Sequence, residues 1–103
     1  MAELRYAASV ERDLLEIGDY IALDDLRAAV KFVEAIRQHC SLLASSPLVG
    51  RARPDIHEAV RSFPHGAYIV FYRYDRDQDQ AEVLRIWHGR RRPPTKASLG
   101  IID

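Results

Sequence analysis

The sequence predicts an α+β domain: an N-terminal strand, an α-helical hairpin, then a three-stranded antiparallel meander, with the strands in one sheet and the hairpin packed on it. Three observations carry that reading. Apolar residues recur at helical spacing twice between Val10 and Leu43. From Val60 onward the apolar stretches are short and rich in β-branched and aromatic residues. The helical and strand-like segments also follow one another in blocks, the order expected of an α+β domain.

The first strand is predicted from Leu4, Tyr6 and Ala8 alternating with Glu3, Arg5 and Ala7. Ser9 then fits an N-cap, with Glu11 and Asp13 in the first turn, where the helix dipole favours negative charge. Val10, Leu14, Ile17 and Ile21 form one face of a helix that stops near Ala22. Asp24 or Asp25 caps a second helix, whose stripe is Leu26, Ala29, Val30, Val33, Ile36, Cys40 and Leu43. Only a few residues separate the two, so they pair as an antiparallel hairpin.

Pro47, Gly50 and Pro54 keep the next stretch in a loop. A short strand from Glu58 to Phe63 ends at a Pro64-His65-Gly66 turn, a second runs from Ala67 to Asp75, and a polar hairpin leads to the last, Ala81 to Gly89. Alternation puts Ile69, Phe71 and Arg73 on one side of their strand, and Tyr68, Val70, Tyr72 and Tyr74 on the other. Trp87 is expected to share its side with Val83 and Arg85, opposite Leu84 and Ile86. Both sides of this strand are partly apolar. One side faces the helices, and the other awaits a cover, either a partner or the chain's own C-terminal tail.

At 103 residues, 48% of them apolar, the chain makes one domain over 1–103, with a tail from about residue 93. So short a chain has little room for both a core and a deep pocket, which favours a macromolecular ligand. No apolar run approaches the roughly 18 residues a membrane span needs, and Met1-Ala2-Glu3 opens no signal peptide. The lone Cys40 cannot form an internal disulfide and suits the cytoplasm; amid apolar neighbours it reads as a small buried hydrophobe. His57 and His65 have no ligand spacing, so no metal or cofactor is expected.

The net charge is zero but unevenly spread. Residues 1–48 carry five basic and eight acidic side chains, residues 49–103 ten and seven. Arg85, Arg90, Arg91, Arg92 and Lys96 concentrate the basic share near the C-terminus.

Taken together, these segments resemble the ParE branch of the RelE/ParE toxin superfamily, the small toxins of bacterial toxin–antitoxin pairs. The resemblance runs from Leu4 to about Arg92. It rests on a combination in fixed order: L-x-x-x-P-x-x-G-R-x-R at 43–53, R-S-F-P-x-G-x-Y-x-x-F-Y-R at 61–73 and R-x-x-H-G at 85–89. It implies a toxin that acts on DNA gyrase, stops replication and growth, and stabilises plasmids. A ParD-like antitoxin lying along the toxin surface would neutralise it, and operator DNA would be reached through that antitoxin. The neighbouring RelE-type branch instead cleaves messenger RNA in the ribosome, and a third reading is an inactive relative serving as corepressor.

Cleavage of RNA needs a base, cations for the phosphate and an acid for the leaving oxygen. Arg61, Arg85 and His88 could supply cations and a proton-transfer group, with Glu58 as base. The lysines and late tyrosine that the resemblance implies for a nuclease have no counterpart: the only lysines are Lys31 and Lys96, and no tyrosine follows Tyr74. Catalysis is therefore not the expectation. His88 reads first as a strand-end residue, and Gly89 as a positive-φ position or a tight exit. Arg90, Arg91 and Arg92 are expected to fan into solvent, either as a solubilising tail or as contacts to gyrase, DNA phosphates or antitoxin. Arg61, Arg73, Arg85, Val83 and Trp87 are the expected antitoxin contacts.

Overall fold

The computed structural model describes residues 1–102, so the last residue of the expected tail, Asp103, lies outside the described residues. The chain forms β1 (Glu3–Tyr6), α1 (Ala8–Ala22), α2 (Leu26–Ser41), a 3-10 turn (Leu42–Ala44), β2 (Arg51–Ala52), β3 (Val60–His65), β4 (Tyr68–Asp75), β5 (Gln80–His88) and a 3-10 turn (Ala97–Leu99). The five strands make one sheet in the order β1-β5-β4-β3-β2. The α+β architecture is as predicted, with two additions. β1 lies parallel to β5, while the other pairs are antiparallel. The sequence predicts loop where β2 lies. Its two exposed residues carry no apolar alternation, and only their pairing with Arg61 and Ser62 makes them a strand.

α1 starts at Ala8, with Ala7 extended before it and no side-chain cap. Ser9, the expected cap, instead donates its hydroxyl to the Leu84 carbonyl at 2.7 Å and ties the helix to β5. Asp25 caps α2, accepting from the Ala28 amide. Ala29, Ile36, Cys40 and Leu43 of the predicted stripe are buried, whereas Leu26 and Val30 are 69% and 51% exposed. The stripe is wider than the contact with the sheet.

Each face of the sheet has its own core. Val10, Leu14, Ile36, Cys40 and Leu43 pack on Phe63, Val70, Tyr72, Ala81, Val83 and Ile86. On the opposite face Val60, Phe71, Leu84 and Trp87 lie beneath Leu99 and Ile101 of the tail. The tail is thus the cover for that face. Burial of each large apolar side chain contributes about 1.5–3 kcal/mol.

Alternation holds along β4 but fails in β5. Phe71 pairs with Arg85 and Tyr72 with Val83, so Leu84 is an extra residue. This bulge puts Val83 and Ile86 together under the helices, and Leu84 and Trp87 together under the tail. The expected sharing of a side by Trp87 and Val83 is therefore wrong.

The β3–β4 turn is also tighter than predicted. Pro64 and His65 stay in β3, opposite Ile69 and Tyr68, which leaves Gly66 and Ala67 to turn, with Gly66 at φ 57°. Pro64 is tolerated because β2 pairs only with Arg61 and Ser62, so β3 has an open outer edge beyond them. Gly89 needs close approach, not positive φ: its amide donates to the Ala67 carbonyl at 2.8 Å, and an added Cβ would lie 3.0 Å from that oxygen.

Candidate functional site

The linker after α2 is held by two residues of the sheet. Tyr72, fully buried, donates to the Pro47 carbonyl at 2.8 Å and accepts from the Gly50 amide at 2.9 Å. Arg61 donates to the carbonyls of Gly50 at 2.6 Å and Leu48 at 3.3 Å. The guanidinium expected at a partner or a phosphate thus closes the linker onto β3. Arg53 is buried, stacked over Phe71, and held by Asp55 and Ser62.

At the other end of the sheet, α1 takes over where β1 stops. β1 covers β5 only as far as Val83. Beyond it the Asp13 carboxylate accepts from the Ile86 amide at 2.9 Å and from two guanidinium nitrogens of Arg85, each at 2.8 Å. Arg85 also donates to the Ser98 carbonyl. Its pKa is raised first by the hydrogen bonds to Asp13 and further by the charges of Asp13 and Glu16, against the opposing effect of burial. The sequence predicts Asp13 as a dipole partner at the helix start. It is instead a buried clamp on a bare strand edge, and nothing in a lone acidic residue at that position announces it.

The sequence candidates scatter. Val83 has no exposed surface and Trp87 only 5%, so Val83 offers no side chain to a partner and Trp87 almost none. Arg73 lies opposite Glu82 in the register. Glu58 is exposed ahead of β3. Arg85 and His88 come together with Arg91 around a cleft of about 200 Å³, walled by Asp13, Glu16, Tyr20 and Tyr68; Arg61 and Glu58 are not part of it. The His88 Nδ1 accepts from the Arg90 amide at 3.1 Å, so its neutral ring carries the proton on Nε2.

Arg90, Arg91 and Arg92 are all exposed, but they do not fan out freely. The Arg91 guanidinium lies 3.6 Å over the Trp87 ring, and the Trp87 indole donates to the Arg92 carbonyl at 2.9 Å. Trp87 therefore anchors the basic run.

Two features had no sequence signal. His39 and His65 join α2 to the end of β3, with their Nδ1 atoms 2.9 Å apart among aromatic rings. An open groove of about 570 Å³ also runs between the outer faces of α1 and α2, floored by Leu14, Leu15, Gly18, Ala22, Leu26 and Val30. Its rim carries Glu11, Asp19 and Glu34, with Arg37 paired to Glu11 at 2.8 Å. Cys40 lies buried, its thiol pushed up to about 11 by desolvation, which makes it inert. Among the described residues no group of three metal-ligating side chains occurs, and no helix is long and apolar enough to cross a membrane.

The fold has solved counterparts. A chain of the chromosomal ParDE toxin–antitoxin system from P. aeruginosa superposes with a TM-score of 0.72 at 24% identity, covering 85% of this chain and 96% of that one. A chain of the RelBE2 toxin–antitoxin complex from Mycobacterium tuberculosis gives 0.55 at 26% identity, covering 84% and 96%. No curated protein matches the sequence. The sequence model of the ParE toxin of type II toxin–antitoxin systems, parDE, matches residues 4–93. The chain belongs to the ParE family of type II toxins.

Proposed function

We propose that the protein arrests growth by binding DNA gyrase and that a ParD-like antitoxin neutralises it. The observation that carries the binding reading is the state of the arginines. Arg61 is spent on linker carbonyls and Arg85 on Asp13, whereas Arg90, Arg91 and Arg92 stand exposed at the end of β5. Cations already bonded inside the fold are poorly placed to stabilise a phosphate in a transition state. Exposed ones can meet gyrase or the phosphates of its DNA.

The antitoxin is assigned to the groove between α1 and α2. Leu15, Leu26 and Val30 are 65%, 69% and 51% exposed there, apolar surface that an amphipathic helix would cover. With Glu11 paired to Arg37, Asp19 and Glu34 leave the rim acidic on balance, which favours a segment with basic residues flanking its apolar stripe.

The test is incubation of purified toxin with gyrase and supercoiled plasmid, and separately with translating ribosomes. Linear plasmid accumulates in the first and no codon-specific cuts appear in the second. The reverse pattern overturns the proposal in favour of a ribosome-dependent nuclease. Absence of growth arrest on expression would point to the corepressor role.

A further inference from the structure

The cleft between α1 and the end of the β4–β5 pair gathers more polar and aromatic groups than the Asp13–Arg85 clamp at its base accounts for. Asp13, Glu16, Ile17 and Tyr20 reach it from one face of α1, at the i, i+3, i+4, i+7 spacing of a helix. Tyr68 and His88 are direct cross-strand partners on the sheet side, their rings 5.1 Å apart and nearly perpendicular. At about 200 Å³ the space is smaller than the roughly 300–1,000 Å³ of a drug-sized site, so it suits one flat ring system.

Its polar groups divide into committed and available. Asp13 and Arg85 neutralise one another, and Arg85 also donates from Nη1 to the Ser98 carbonyl. Glu16 is exposed, close enough for its charge to act on Arg85. Arg91 stacks by its face on Trp87, which leaves the in-plane N–H groups at the edge of the guanidinium for an anion. His88 keeps its Nε2–H as a donor because Nδ1 is occupied. The cleft therefore offers the rings of Tyr20, Tyr68 and His88, a carboxylate acceptor and one edge-on cation. An unpaired base stacks on such rings. A carboxylate that accepts two parallel hydrogen bonds selects guanine, whose N1–H and N2–H lie side by side.

We propose that this cleft binds an unpaired guanine nucleotide: the base stacked on Tyr68 and bounded by the steeply tilted His88 ring, its Watson–Crick edge on Glu16 and its phosphate on Arg91. The nucleotide is either free or a residue of single-stranded nucleic acid. The site does not depend on gyrase being the target, because binding is read directly.

The experiment titrates the full-length toxin with GMP, AMP and guanosine by calorimetry. It also titrates labelled oligothymidylate, with and without one central guanine, by fluorescence anisotropy. GMP binds saturably, and AMP and guanosine each bind about tenfold more weakly. Glu16→Gln brings GMP down to the AMP value and leaves AMP unchanged; Arg91→Ser brings GMP down to the guanosine value. Tyr68→Leu weakens every nucleotide about tenfold. Glu16 is exposed, so its variant keeps the fold and carries the test even if the Tyr68 variant does not. A guanine-dependent oligonucleotide bound more tightly than GMP identifies nucleic acid as the source; the opposite order identifies the free nucleotide. Absence of saturable binding by GMP and by both oligonucleotides overturns the proposal. So does binding without base preference that is lost in Arg90→Ser and Arg92→Ser but indifferent to Glu16→Gln, since that is attraction to the basic run alone.

Discussion

Tyr72 is fully buried, and its hydroxyl makes both of its hydrogen bonds to the linker backbone, at Pro47 and Gly50. The x-x-G after Pro47 and the tyrosine of F-Y-R are thus two halves of one contact. A Cβ on Gly50 would meet the Tyr72 ring at 2.7 Å and its hydroxyl at 2.8 Å, so only glycine fits. Tyr72→Phe leaves a buried amide and a part-buried carbonyl without their partner and should cost about 1–3 kcal/mol in urea unfolding. Asp13→Ala should cost more, about 3–5 kcal/mol, because it strands the partly buried Arg85 and also removes the acceptor of the Ile86 amide. In a double-mutant cycle, Arg85→Met should recover part of that loss; additive costs would show that the pair is not coupled. Neither contact was legible in the sequence. Tyr72 alternates like any core residue and Asp13 sits where helix-start acids ordinarily sit, so only the fold reveals their partners.

At the level of elements, periodicity was legible wherever one face was buried and failed where pairing or tertiary contact decided the outcome. α1, α2 and β4 keep their periods, so their existence and most of their facing residues follow from the sequence, although α1 starts before Ser9 and Leu26 and Val30 lie outside the buried contact. β2 has only two residues, and the bulge at Leu84 reverses the parity of β5 without leaving a mark in its composition. The tail carries Leu99, Ile101 and Ile102 among turn and polar residues, a pattern that does not say which of them are core, and only Leu99 and Ile101 are buried on Phe71, Leu84 and Trp87. Truncation before Pro94 should therefore remove roughly 3–6 kcal/mol, a large share of a small domain's stability, seen as a lower urea midpoint.

The contact between α2 and the β3–β4 hairpin should be pH-dependent, because it passes through His39 and His65 among the rings of Phe32, Phe63 and Tyr68. Burial first, then the charge of His39, lowers the pKa of His65 from its ordinary 6.5. The unfolded chain then binds the proton more readily than the folded one. Stability is full above about pH 6.5 and falls as the pH drops toward the depressed folded value, with no further loss below it. His65→Phe should flatten this part of the profile in thermal melts between about pH 7 and 5; an unchanged slope would place the dependence elsewhere.

For the whole molecule, the division of charge seen in the sequence becomes a division of surfaces. The acidic N-terminal half forms the hairpin, whose apolar groove is rimmed by Glu11, Asp19 and Glu34, and the basic half ends in the arginines anchored on Trp87. If the groove takes the antitoxin and the arginines take the target, neutralisation and toxicity should separate by mutation. Leu26→Glu with Val30→Glu places charge on exposed positions and so keeps the fold. It should weaken antitoxin binding at least about tenfold, because charge would have to be desolvated in an apolar contact. Cells expressing this variant should arrest even when the antitoxin is co-expressed. Arg90→Ser, Arg91→Ser and Arg92→Ser together should do the opposite, permitting growth while the toxin still co-purifies with antitoxin. Since Arg91 stacks on Trp87, a melting curve of this triple variant must accompany the growth assay. If each variant lost both properties while remaining folded, toxin and antitoxin functions would share one surface, and the two-surface reading of the molecule would fall.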